Sequence, residues 1–122
     1  MFQVKVTDHF AAAHQLLGYE GKCEGLHGHN WKVEVCLEGE NLDKIGMLID
    51  FKVLKKMLKD VLEELDHKML NELEPFQEIN PSSELIARYI YKKLDKDITD
   101  NVDLKFVSVW ESETSRATYY DN

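Results

Sequence analysis

The run His27-Gly28-His29-Asn30-Trp31-Lys32-Val33-Glu34-Val35-Cys36-Leu37 decides how this chain folds. Trp31, Val33, Val35 and Leu37 alternate with Lys32, Glu34, Cys36 and Glu38, the period of a strand with one buried face. Successive side chains on a strand point to opposite faces, so His27 and His29 project together from one side. Cys23 lies four residues upstream of His27, where a thiolate beside a metal would be chemically useful.

Upstream, Phe2, Val4 and Val6 alternate with Gln3, Lys5 and Thr7, which predicts a first strand running toward His9-Phe10 and antiparallel to the second. Ala11-Ala12-Ala13-His14 follows, and Gly18 to Gly25 reads as a glycine-rich loop. Downstream, Glu38-Gly39-Glu40-Asn41 ends the second strand. From Asp50, a plausible N-cap, the period becomes helical, with Phe51, Leu54, Leu58, Val61 or Leu62, and Leu65 on the apolar face. Asn80-Pro81 opens a second helix, with Asn80 as candidate cap and Leu85, Ile86, Tyr89, Ile90 and Leu94 as its stripe. Leu104, Phe106, Ser108 and Trp110 alternate with Lys105, Val107, Val109 and Glu111 as a third strand, and Arg116 to Tyr120 forms a fourth in a hairpin around Ser112-Ser115. The reading is an α+β fold in the order β-β-α-α-β-β, with a four-stranded antiparallel sheet and both helices on one face. Its open edges and uncovered face imply a homo-oligomer.

Length and composition set bounds on function. A chain of 122 residues is one domain, 1–122, with a single core. A formal charge of -8 disfavours nucleic-acid partners, which require neutralised phosphates. No apolar run approaches the roughly 20 residues of a membrane span, and no leader is visible, so the expected location is cytoplasmic. Two cysteines give no disulfide framework; Cys36 is expected to be a half-buried bystander.

His14, His27 and His29 are the candidate metal ligands, since three imidazoles with one open position suit catalytic zinc. The alternative is that His14 is a satisfied core or loop histidine. Cys23 is the candidate thiolate beside Lys22, or an inert loop cysteine, and Glu24 adds a carboxylate in the same loop. Asp66-His67 offers acid-base groups, each expected to address a different partner because adjacent side chains rarely meet; a helix C-terminus favouring a cation is the plainer reading. Glu84 suits the first turn of the second helix in any case. Glu111 ends an apolar strand, an unusual place for a carboxylate unless it meets a cation, a metal or a hydrogen-bonding ligand.

Phe10-Ala-Ala-Ala-His14, Cys23-x-x-x-His27-Gly28-His29-Asn30, Asp50-Phe51, Leu65-Asp66-His67, Asn80-Pro81-Ser82-Ser83-Glu84 and Glu111 together resemble the 6-pyruvoyl-tetrahydropterin synthase superfamily. The likeness spans essentially the whole chain and is greatest to the queuosine-pathway branch that forms 6-carboxy-5,6,7,8-tetrahydropterin. It implies the tunnelling fold, a homohexamer of two trimers with active sites at subunit interfaces, and a pterin triphosphate substrate. It also implies zinc on His14, His27 and His29, Cys23 as base, Asp66 and His67 from a neighbouring subunit, Glu111 anchoring the pterin, and Ser82, Ser83 and Glu84 lining the pocket. Ser82 stands where the family often has Thr, a change that keeps a hydroxyl. Glu24 also satisfies the pattern of a folate-pathway branch that cleaves dihydroneopterin to 6-hydroxymethyl-dihydropterin. The resemblance therefore leaves open that cleavage, the 6-pyruvoyl synthase reaction, and a non-catalytic pterin- or metal-binding oligomer.

Overall fold

A computed structural model describes residues 1–18, 25–99 and 101–121. Strands β1 (Phe2–His14) and β2 (His27–Gly39) precede helix α1 (Phe51–Glu63). The short β3 (Lys68–Met69) and two 3-10 turns, Leu70–Glu72 and Glu74–Phe76, lead to helix α2 (Ser83–Asp95), then β4 (Asp103–Ser112) and β5 (Ser115–Tyr119). The sheet order is β3-β1-β2-β4-β5. The expected four strands are present and antiparallel; a fifth, β3, pairs parallel to β1 through Ala12–Lys68 and Ala13–Met69. Two residues of Lys-Met are too short to carry a period of two, so no sequence signal marks them.

β1 and β2 pair over their full lengths, with Val6 opposite Val35, Phe10 opposite Trp31 and His14 opposite His27. Every second side chain of that pair meets the helices. Trp31, Val33, Val35 and Leu37 are fully buried, and Leu54, Leu58, Val61 and Leu62 of α1 with Ile86, Ala87, Ile90 and Leu94 of α2 close over them. Phe51, expected on the apolar stripe, is 54% exposed, because α1 begins at the margin of the sheet. Cys36 is completely buried rather than half-buried, and burial pushes its thiol pKa up.

β4 carries two irregularities that the strand pattern conceals. Between Cys36–Phe106 and Leu37–Leu104 the register shifts, leaving Lys105 as an extra residue. Leu104 therefore joins Val107 and Val109 on the helix face, instead of following Phe106, Ser108 and Trp110. A second shift lies between Trp110–Arg116 and Ser112–Ser115, at Glu111. The face without helices keeps Phe106 and Trp110 partly exposed; Lys5 lies over the first ring, and Lys32 and Arg116 over the second at 4.7 and 5.1 Å.

Asp50 caps α1, its Oδ1 accepting from Lys52 N at 2.8 Å. The cap of α2 is Ser82, whose Oγ accepts from Leu85 N at 3.2 Å, and not Asn80, whose amide is engaged elsewhere. Ser82→Ala is expected to lower the unfolding free energy by about 1 kcal/mol in urea titration, the usual worth of a serine cap.

Candidate active site

Three imidazoles and one carboxylate meet at the end of the sheet. His14 closes β1, and His27 and His29 open β2, on the helix face that Phe10 and Trp31 continue inward. The strand alternation seen in the sequence thus places both β2 histidines beside His14. Trp31 is their floor: its fully buried ring lies edge-on to His14 at 4.9 Å and to His29 at 5.1 Å, and its Nε1 donates to Ala12 O at 3.2 Å. The Glu111 carboxylate caps the group, with Oε1 at 3.3 Å from His14 Nε2, 3.8 Å from His27 Nε2 and 3.0 Å from His29 Nε2. Glu111 keeps the inward parity of Val107 and Val109, and the register shift beside it falls where the strand ends.

Backbone carbonyls decide which nitrogens face the centre. His14 Nδ1 lies 2.8 Å from Pro81 O, and His27 Nδ1 lies 2.7 Å from Gly25 O. A carbonyl oxygen only accepts, so each Nδ1 carries the proton and each neutral ring turns the lone pair of Nε2 inward. In that tautomer the two Nε2 atoms are 3.1 Å apart with Glu111 Oε1 beside them, a set of acceptors that a cation among them would satisfy. The candidate ligand atoms of all four residues lie within 4.8 Å of one another. Tetrahedral coordination at about 2.0–2.1 Å spaces ligand atoms by about 3.3 Å, so the donor set fits a metal ion of zinc's size and ligand preference.

Asp66 and His67 behave differently from expectation. Their side chains do meet: His67 Nδ1 is 2.9 Å from Asp66 Oδ2. Contact between neighbours becomes possible because His67 adopts a left-handed backbone, φ 58°, its N–H donating to Ala11 O at 2.6 Å. Asp66 Oδ1 accepts from Ala11 N at 2.9 Å; that hydrogen bond, helped by His67, holds its carboxyl below the usual range. The His67 side chain remains 83% exposed and borders a shallow trough floored by Ala11, Ala13 and Gly28 on the face without helices. His29, one of the three imidazoles, borders the same trough. Ser83 and Glu84 enter the first turn of α2 just after Pro81, with Glu84 exposed. Cys23, Glu24 and Lys22 lie outside the described residues.

A family model described as 6-pyruvoyl tetrahydropterin synthase matches residues 3–122. The chain belongs to that family. Two curated relatives are similar to it over most of its length. One, the dihydroneopterin monophosphate aldolase of Pyrococcus furiosus, is 41% identical over 84% of this chain and 82% of its own length. The 6-carboxy-5,6,7,8-tetrahydropterin synthase of Haemophilus influenzae is 33% identical over 99% of this chain and 100% of its own. The solved 6-pyruvoyl tetrahydropterin synthase of Caenorhabditis elegans superposes with a TM-score of 0.84 at 28% identity, covering 99% of this chain and 96% of that one. As a family member the chain has the tunnelling fold, and the fifth strand does not alter it.

Sequence reasoning missed the carbonyls of Gly25 and Pro81 and the floor role of Trp31. A carbonyl leaves no trace in residue type, whereas Trp31, two positions after His29 on the same face, was findable by parity. Purified protein is expected to bind one zinc per chain, and His14→Ala or His29→Ala to lose it in a chelator-competition titration. Asp66→Asn keeps an acceptor for Ala11 N but not the charge. Because the folded carboxyl titrates below its unfolded value, the wild type is expected to melt above the variant at neutral pH. That difference should vanish as pH falls through the folded value, below the ordinary 3.8.

Proposed function

We propose that this chain is a zinc-dependent lyase that converts 7,8-dihydroneopterin triphosphate and water to 6-carboxy-5,6,7,8-tetrahydropterin, acetaldehyde and triphosphate, in the route to queuosine. The observation that carries the reading is the convergence of His14, His27 and His29 Nε2 with the Glu111 carboxylate over Trp31. Full-length similarity to a relative named for this product supports it.

His14, His27 and His29 would hold zinc, which when bound supplies a Lewis acid for hydroxyls of the substrate side chain. Cys23, four residues before His27, removes the proton from the adjacent carbon as a thiolate. Glu111 accepts paired N–H bonds from the amino-pyrimidinone edge, having its carboxylate at the same mouth. Ser82 spends one lone pair on its cap and keeps its hydroxyl proton to donate, while Ser83 and Glu84 line the pocket. Asp66 fixes the His67 ring, which returns the proton. As the family resemblance implies, Asp66 and the 83% exposed His67 serve a site on a neighbouring subunit, in a homohexamer of two trimers in the cytoplasm.

A second reading has its own support. The 41% identical relative is named an aldolase of dihydroneopterin monophosphate, and Glu24 supplies a carboxylate base beside Cys23. On that reading the product is 6-hydroxymethyl-dihydropterin.

Zinc-loaded protein given the triphosphate and, separately, the monophosphate decides between them by mass spectrometry. Acetaldehyde with the carboxylated pterin is the expected result. Cys23→Ala is expected to lower kcat at least ~100-fold with zinc retained, and Glu111→Gln to weaken pterin binding with zinc retained. Hydroxymethyl product alone, lost in Glu24→Ala, would transfer the assignment to the second reading.

A further inference from the structure

The edge of β1 nearest the metal ligands is not closed by a strand. β3 covers only Ala12 and Ala13, and beyond His14 the chain passes through Gln15 and Leu16 into a turn at Leu17. On a strand, both backbone polar groups of alternate residues point to one edge, and each needs a partner. Side chains supply them here. At Ala11, the N–H donates to Asp66 Oδ1 and the carbonyl accepts from His67 N. At Gln15, the N–H donates to Asn71 Oδ1 and the carbonyl accepts from Asn71 Nδ2, both at 2.9 Å. At Leu17, Asn80 repeats the pattern, with both bonds at 2.8 Å.

The two asparagine amides are therefore rungs of a ladder, each presenting one acceptor and one donor as a peptide unit would. They hold the chain just beyond a single position of consequence. His14 precedes Gln15 directly, and its ring is fixed by the carbonyl of Pro81, the residue that follows Asn80. Asn80 thus ties down at once the chain beyond His14 and the carbonyl that sets His14's tautomer.

We propose that Asn71 and Asn80 are positioning residues of the metal centre, holding the end of β1 and the Pro81 carbonyl so that His14 Nε2 faces His27 and His29. The inference rests on the metal reading of the previous subsection. Without the rungs, the chain from Gln15 onward loses four hydrogen bonds and can fray back to His14, which lies at the strand's end.

The test is zinc affinity of the full chain, measured by competition with a chromogenic chelator well below the melting temperature. It is paired with amide exchange at Gln15 and Leu17 in the zinc-free protein. Asn80→Ala is expected to weaken zinc about 10-fold or more, in the range for lost outer-shell support, with one zinc per chain retained at saturation and faster exchange at Leu17. Asn71→Ala should act in the same direction with faster exchange at Gln15. Gln77→Ala is the control: its Nε2 donates to Glu72 O at 2.9 Å within the same connecting segment and touches neither Gln15 nor Leu17, so its zinc affinity should match the wild type. Unchanged zinc affinity in both asparagine variants would overturn the proposal and leave the metal site standing. An equal loss in Gln77→Ala would overturn it too, because any loosening of the segment would then suffice. A wild-type chain that binds no zinc would remove both readings together.

Discussion

The register of β1 against β2 is the constraint on which the rest depends. His14 opposite His27 and Phe10 opposite Trp31 put the ligand set and the tryptophan floor on the face the helices cover. A slip of one residue would turn His27 and His29 to the other face and pull Trp31, Val33, Val35 and Leu37 out of the core. The stability of the fold and the assembly of the site are thus enforced by the same pairing. The thirteen-residue strands are long enough to make a slipped alternative expensive along their whole length.

What was legible in the sequence was what period and parity encode. The strands, both helices, the Asp50 cap and the side-by-side placement of His27 and His29 are all consequences of alternation or of 3.6-residue spacing. His14 joins them because it stands at the far end of the partner strand. Glu111 was visible as a carboxylate out of place, and its parity with Val107 and Val109 puts it on the face of the imidazoles.

Less legible were features set by backbone conformation or by long-range polar contacts. His67's left-handed φ lets it touch Asp66, and nothing in the dipeptide announces it. Asn80 sits where a cap is expected, but two residues early; the serine at position 82 takes that role, and the amide is free to serve Leu17 across 63 residues of sequence. Asn71 belongs to a stretch with no period at all. In each case a polar side chain chose between a local and a distant partner, and local spacing rules describe only the first choice.

The extra residue at Lys105 gives β4 a phase. Leu104, at the strand's start, packs in the core, and Glu111, seven residues on, reaches the imidazoles from that same side. An unbroken alternation puts positions seven apart on opposite faces, so the inserted residue is what reconciles a buried start with a functional end. Near β4, then, residue count behaves as a setting of the site. Deleting Lys105 would leave Leu104 and Glu111 six residues apart and still on one face, whereas deleting one residue between Val107 and Glu111 would turn Glu111 to the face opposite Val107 while leaving every ligand in the sequence.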